Sequence, residues 1–258
     1  MSGSYPIEHF IDVCLDISDH AGRKIMEVYA REDFGTQRKT DHSPVTDADL
    51  AANRIIVDAL KDLTPEIAIV SEEESFKPEG HSAFWLVDPL DGTREFIKRN
   101  GEFTVNIALV VDQTPILGVI VAPALGVAYT GGIGLAARKR DDSGQWFEIS
   151  VKEPMSDRDI KIAGSKNHMT DASRHWIKAN CPDSEVIGIG SSVKFCLIAE
   201  GAAHFYPRFG QTMEWDTAAG HAILNAAGGS VIRMDGHPFI YGKDGFGNAD
   251  FLAQYHPS

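Results

Sequence analysis

The chain has little cysteine, little positive charge and no long apolar run, and each shortage excludes a class of protein. Its three cysteines, Cys14, Cys181 and Cys196, are odd in number and lack metal-ligand spacing, so neither a disulfide framework nor a thiolate metal site organises the fold. Cys14 and Cys196 fall within helical apolar patterns and read as reduced core thiols, which points to the cytoplasm. Lys and Arg total 24 against 37 Asp and Glu, a formal net charge of -13. Nucleic acid polymers and anionic membrane surfaces require a basic face that this balance does not supply. No stretch approaches the roughly 20 apolar residues of a membrane-spanning helix. The start, Met1-Ser2-Gly3-Ser4-Tyr5-Pro6, lacks the basic and apolar segments of a secretory signal. Low-complexity tracts and a Gly-x-x-x-x-Gly-Lys-Ser/Thr phosphate loop are missing as well.

What is present is an ordinary globular composition, 258 residues of which 43% are hydrophobic. That is enough for one large or two closely joined domains. Apolar residues at Phe10, Cys14, Ile17, Ala21, Ile25 and Val28 predict a helix over residues 7–30. A second amphipathic helix is expected through Leu50, Ile55, Ile56, Ala59 and Leu60. Residues 103–111 and 116–122 read as a hairpin, and later β-rich runs continue it as an antiparallel meander. Gly131-Gly132-Ile133-Gly134 has no helix after it and reads as a turn. From about residue 158 strands and helices alternate. The expected division is therefore an N-terminal α+β part over 1–155, with an antiparallel sheet and helices, and a C-terminal α/β part over 156–258.

The stretch with most chemistry is Trp85-Leu-Val-Asp88-Pro-Leu90-Asp91-Gly92-Thr93-Arg94-Glu-Phe96. An apolar strand delivers Asp88, Pro89 is expected to stop it, and Asp91-Gly92-Thr93 turns into a short helix. Pro89 has no N–H to donate, which leaves the Leu90 carbonyl free to face the same space as both carboxylates. Gly92 permits a tight turn whose amides suit a phosphate. Taken alone, Asp before Pro and Asp before Gly are common turn residues, and Asp91 or Asp49 serves equally as a helix cap. The acidic pair Glu72-Glu73 after another strand-like run changes the balance, because carboxylates gathered from two strand ends repel strongly unless a cation such as Mg²⁺ joins them. The C-terminal part adds Ser191, Lys194, Arg208 and Asp216. For these, helix caps and solvated surface charges are the simpler alternatives. The small-residue run after Asp216 would let its helix approach another backbone closely.

Together these residues resemble the lithium-sensitive, metal-dependent phosphomonoesterases of the inositol monophosphatase superfamily. The resemblance rests on Asp88-Pro-Leu-Asp91-Gly-Thr93, Glu72-Glu73 before it and Trp215-Asp216-Thr-Ala-Ala-Gly220 after it. The wording of Ser43-Pro-Val-Thr-Asp-Ala-Asp49, Gly190-Ser-Ser-Val-Lys-Phe-Cys196 and Tyr206-Pro-Arg-Phe-Gly210 is similar to the bacterial CysQ type of 3'(2'),5'-bisphosphate nucleotidase. The resemblance implies a layered αβαβα sandwich that hydrolyses adenosine 3',5'-bisphosphate to AMP and phosphate, clearing a by-product of sulfate assimilation. It implies Mg²⁺, two or three ions, on Glu72, Asp88, the Leu90 carbonyl, Asp91 and Asp216. Asp49, Thr93 and Glu72 are implied as catalytic residues, with Asp49 and Thr93 activating water. Gly92 and Thr93 would hold phosphate through their amides; Ser191, Lys194, Arg208 and His168 would contact the nucleotide. Lys39 is a further electrostatic candidate. An inositol, sugar or histidinol phosphate phosphatase with the same metal site is the alternative, and a silent metal- or nucleotide-binding regulator is a third. Monomer and homodimer both fit, and the type implies loose attachment to the inner face of the cell membrane.

Overall fold

The computed structural model describes residues 5–38, 44–74, 81–165 and 169–256. Helix α1 (Ile7–Tyr29) buries all six apolar positions that its spacing marks out. A two-stranded ribbon, β1 (Gln37–Arg38) with β2 (Pro44–Val45), leads into helix α2 (Asp47–Leu63). On α2 the expected inward residue Leu50 is 45% exposed, while Asp49 and Asn53 are buried. The inward face is set by polar partners: Asn53 donates to Glu74 at 3.0 Å and accepts from Ser71 Oγ at 2.6 Å, which ties α2 to the strand end carrying Glu72.

Seven strands form the first sheet, in the order β3-β4-β5-β6-β7-β8-β9. They are β3 (Ala68–Ser71), β4 (Ala83–Asp91), β5 (Thr104–Val111), β6 (Thr114–Ala122), β7 (Val127–Gly132), β8 (Leu135–Arg140) and β9 (Trp146–Glu148), with helix α3 (Thr93–Ile97) after β4. β3 runs parallel to β4, and the other neighbours are antiparallel. Pro89 does not stop β4. Asp88 lies opposite Asn106 and Asp91 opposite Thr104, so three steps on one strand match two on the other. The extra residue makes a bulge, and proline, which cannot donate to a ladder, is accommodated inside it.

The second sheet takes the order β11-β10-β12-β14-β13. Its strands β10 (Lys161–Gly164), β11 (Glu185–Gly188), β12 (Phe205–Arg208), β13 (Ser230–Arg233) and β14 (Phe251–Gln254) are interleaved with helices α4 (Asp171–Asn180), α5 (Val193–Ala199) and α6 (Ala218–Ala226). β10 is parallel to β11 and β12, whereas β14 is antiparallel to β12 and β13. Sequence alternation did not predict β14, a four-residue strand without a helix before it.

Burial defines the layers. Trp85, Val87, Val105, Ile107 and Leu109 pack with α1 and α2 on one face of the first sheet. Phe84, Leu86, Ala108 and Val110 on its other face pack with α5, α6 and the residues Tyr206, Phe251 and Ala253 of the second sheet. Trp176 and Ile177 of α4 cover Ile162 and Phe205. The result is the expected αβαβα sandwich. The small residues of α6 have their consequence here: a Cβ added to Gly118 would lie 2.2 Å from the Ala219 carbonyl oxygen, and one on Gly131 would lie 2.8 Å from Ile223 Cα. Glycine lets the helix lie directly on the first sheet and brings the turn before it, with Asp216, to the acid-bearing strands. Among the described residues no helix is long and apolar enough to cross a membrane.

Candidate active site

Asp49 caps its own helix and also reaches Thr93. It stands in the first turn of α2, 1% exposed, and its Oδ2 accepts the Thr46 N–H at 2.7 Å and the Thr46 hydroxyl at 2.6 Å. Its Oδ1 accepts the Thr93 hydroxyl at 3.1 Å, across 44 residues of sequence. The capping box fixes the carboxylate so that its second oxygen orients Thr93. Burial raises the Asp49 carboxyl above its ordinary value, against the pull of the Thr46 and Thr93 hydrogen bonds.

The bulge in β4 presents the next acids. Asp88 is 1% exposed, and its Oδ1 accepts the Leu90 N–H at 3.1 Å. The Leu90 carbonyl oxygen lies 3.4 Å from Thr93 Oγ1. Gly92 follows with φ 96°, and a Cβ there would sit 3.0 Å from the Glu102 carbonyl, so only glycine makes this turn without strain. Burial pushes Asp88 well above the carboxylate range, and Glu72, Asp91 and Asp216 push it further. Burial likewise pushes Asp91 up to about 6, with Glu72 adding to it while Lys194, the Ser192 amide and Asn106 pull it down. Asp216 goes up to about 8 through burial and then Asp91. Four carboxylates, three from the first sheet and its strand ends and one from the turn before α6, therefore sense one another. Among the described residues no three acidic, His or Cys side chains are already drawn together as a metal cage. The donor set nonetheless fits a hard divalent ion, because buried acids and a carbonyl oxygen facing one space are what such an ion neutralises.

Neither cap reading holds in the C-terminal part. Asp216 lies in a short 3₁₀ turn, with Thr217 at the start of α6, and its Oδ2 accepts the Met213 N–H at 2.8 Å. Ser192, not Ser191, occupies the cap position of α5, without a side-chain capping bond. Ser191 has φ 51°, a left-handed backbone that costs a non-glycine residue on the order of 1–3 kcal/mol. Its Oγ is buried without a hydrogen-bond partner, as is the Nε of Arg208. Lys194 is no solvated charge: it is 7% exposed, donates to the Ser191 carbonyl and lies 5.4 Å from the Tyr206 ring. Burial lowers its ammonium to about 8, against the attraction of Asp91.

Sequence reasoning missed the clamp that joins the two parts. Gly190 N–H donates to Glu102 Oε2 at 2.9 Å, Ser192 Oγ donates to Asn106 Oδ1 at 2.8 Å, and Thr104 Oγ1 lies 2.8 Å from Ser192 Oγ. A signal was available, since Asn106 and Thr104 are polar residues buried in an otherwise apolar central strand. A cavity of about 120 Å³ opens where the parts meet, lined by Asp91, Gly92, Ser191, Lys194, Arg208 and Asp216 together with Glu95 and Thr212, which the sequence had not marked. A larger cavity of about 490 Å³ lies elsewhere, between α1 and the β6–β7 turn. Asp19 and Arg140, which line it, neutralise each other in a two-pronged ion pair, and Arg23 and Glu27 line it as well. His168 and Lys39 lie outside the described residues.

Comparison with known proteins shows the family and the fold. The inositol monophosphatase family pattern matches residues 7–256. The 3'(2'),5'-bisphosphate nucleotidase CysQ of Escherichia coli K12 is 42% identical over 238 residues, covering 90% of this chain and 93% of the relative. The crystal structure of CysQ from Bacteroides thetaiotaomicron superposes with a TM-score of 0.86 at 36% identity, over 98% of this chain and 99% of that one. An inositol monophosphatase from Anabaena shares the fold, with a TM-score of 0.77 at 22% identity, over 97% and 92% of the two chains.

Proposed function

Because this chain belongs to the inositol monophosphatase family, we propose that it is a metal-dependent 3'(2'),5'-bisphosphate nucleotidase, hydrolysing adenosine 3',5'-bisphosphate to AMP and phosphate in the recycling that accompanies sulfate assimilation. One observation carries the choice of substrate. Lys194 shares the cavity of the acids with Arg208 and Ser191, each of which holds a buried polar atom without a partner. A second phosphate supplies the acceptors these donors lack, whereas a small neutral alcohol such as inositol gives little reason for two extra cations.

Mg²⁺, as two or three ions, would be held by Glu72, Asp88, the Leu90 carbonyl, Asp91 and Asp216. When bound, it lowers the pKa of water and offsets the charge of the phosphate being transferred. The chain's own part is proton handling and placement. Thr93 gives its hydroxyl proton to Asp49, so its oxygen lone pair is turned outward to accept a proton from the attacking water. The raised proton affinity of Asp49 suits it as the relay's end. The amides of Gly92 and Thr93 steady the phosphate, and Lys194, Arg208 and Ser191 hold the nucleotide so that its ester bond lies in line with that water. Three free, buried thiols suit a reducing cytoplasm.

The test is phosphate release with Mg²⁺, and with Mg²⁺ plus Li⁺, from equal concentrations of adenosine 3',5'-bisphosphate and inositol 1-phosphate. The nucleotide should be preferred and its hydrolysis lost with lithium. Preference for inositol 1-phosphate overturns the substrate, and release from neither overturns the enzyme.

A further inference from the structure

Asp216 is carried on a turn too short to hold its own shape, and a distant stretch of chain wraps it. Glu214, two residues before Asp216, is fully buried. Its Oε2 accepts the Gly242 N–H at 2.7 Å, and its Oε1 accepts the Lys243 N–H at 2.9 Å and pairs with Lys243 Nζ at 2.7 Å. Lys243 Nζ also donates to Asn248 Oδ1 at 3.2 Å. Asn248 then closes the circuit: its Nδ2 donates to the Met213 carbonyl at 2.7 Å and to Thr217 Oγ1 at 3.1 Å, and its N–H donates to the Thr212 carbonyl at 2.9 Å. Tyr241, from the same stretch, donates to Thr217 Oγ1 at 3.3 Å and receives His221 at 3.0 Å. Trp215 lies against Phe246 of the same stretch, ring centres 5.8 Å apart, so every residue of the turn except Asp216 itself is gripped from outside, and Met213 donates its own N–H to Asp216 Oδ2.

We propose that residues 241–248 form a strap that sets the position of Asp216, with Glu214 and Asn248 as positioning residues for the metal site. Burying the Glu214 carboxylate is costly unless its partners are all in place, and here they are, two main-chain amides and one ammonium. A surface turn needing only stability would be satisfied by apolar packing. A closed polar circuit fixes angles as well as contact, which is what a ligand on a short turn beside the acids of the first sheet requires. The inference rests on the proposed role of Asp216 as a metal ligand.

Direct titration with Mn²⁺, read from the EPR signal of the free ion without substrate, tests it on the wild type and on Glu214→Gln, Asn248→Ala and Lys243→Met. Binding should weaken roughly 10- to 100-fold in Glu214→Gln and Asn248→Ala, the range for partners that orient a metal ligand. The Mg²⁺ concentration for half-maximal activity should rise in parallel, while KM for the nucleotide at saturating metal stays within about twofold. Lys243→Met keeps the aliphatic stem of a side chain that is 29% exposed, so it guards against loss of the fold, which circular dichroism checks. Wild-type Mn²⁺ affinity in the folded variants overturns the strap. If the wild type binds Mn²⁺ but prefers inositol 1-phosphate, the substrate reading fails and this inference stands; if the wild type binds no Mn²⁺, both fall.

Discussion

The two sides of the cavity are built differently. On the N-terminal side, Thr93 bonds to both Asp49 and the Leu90 carbonyl, and the bulge of β4 sets Asp88 and Asp91, with the Ser192 amide and Lys194 reaching Asp91 from the other side. On the C-terminal side, Ser191 and Arg208 keep polar atoms without partners, and Lys194 is charged in a buried place. The first side is bonded largely within itself and carries excess negative charge. The other is incomplete until something binds. A reaction centre common to many phosphate esters suits the first design, and recognition of one kind of ester suits the second, because unmet donors penalise any ligand that cannot meet them.

Removing an acid on the first side should have the largest effect. Asp91→Asn should abolish phosphate release from every substrate while leaving the protein folded, and without metal its melting temperature should rise, since one of four mutually repelling carboxylates is gone. Chelation examines the same charge in the wild type. Asp91 goes from 3.8 to about 6 and Asp216 from 3.8 to about 8 in the fold, both raised chiefly by burial. A raised folded value means stability that is complete below 3.8 and is lost as pH climbs through about 6 and then about 8. In EDTA the melting temperature should therefore fall across that interval, and saturating Mg²⁺ should flatten the curve. A flat curve in EDTA would mean that neither burial nor mutual repulsion raises these acids in the fold.

Next in size is the proton relay. Thr93→Val should lower kcat by roughly 10²- to 10⁴-fold for nucleotide and simple phosphate esters alike, the usual worth of a positioned acid–base group. Thr93→Ser should recover most of it. Asp49→Asn should behave like Thr93→Val, with some loss of stability in addition because the Thr46 amide and hydroxyl then face an amide. A loss confined to the nucleotide would move Thr93 to the recognition side.

These first-side residues were the legible ones, and the reason is local. Asp88-Pro89 and Asp91-Gly92 are separated by Leu90 alone, so strand, turn and chemistry could be read from one window. The same window misled over Pro89, because a bulge that admits proline within a strand depends on the partner strand, Asn106 and Thr104, and not on β4. The local pattern leaves Asp49 open between cap and site; in the structure one oxygen caps α2 and the other meets Thr93, which no local pattern encodes. On the second side, Lys194 and Arg208 differ from solvated charges only through burial under distant elements. Their recognition came through family resemblance. The β5 clamp on Gly190 and Ser192, the strand β14 and the 241–248 wrap all depend on pairings across long stretches of sequence, beyond the reach of periodicity.

The smallest effects belong to that second side and are the most selective. Lys194→Met should raise KM for the bisphosphate about 10- to 100-fold, the loss of one charge-assisted hydrogen bond, while kcat and the hydrolysis of a small monophosphate ester change little. Arg208→Met should do the same. Lys194 adds a pH signature that Arg208 cannot. Burial brings its ammonium down to about 8, so kcat/KM for the bisphosphate should decline above that pH as the free enzyme loses the charge. A phosphate bound beside the ammonium favours the protonated form, so kcat at saturating substrate should not show the same decline. Lys194→Arg, which stays charged throughout, should remove the decline from kcat/KM even if its fork fits the site less well. An identical decline in Lys194→Arg would assign the titration to another group and make Lys194 a packing residue, and the contrast between the two sides would then rest on Arg208 and Ser191 alone.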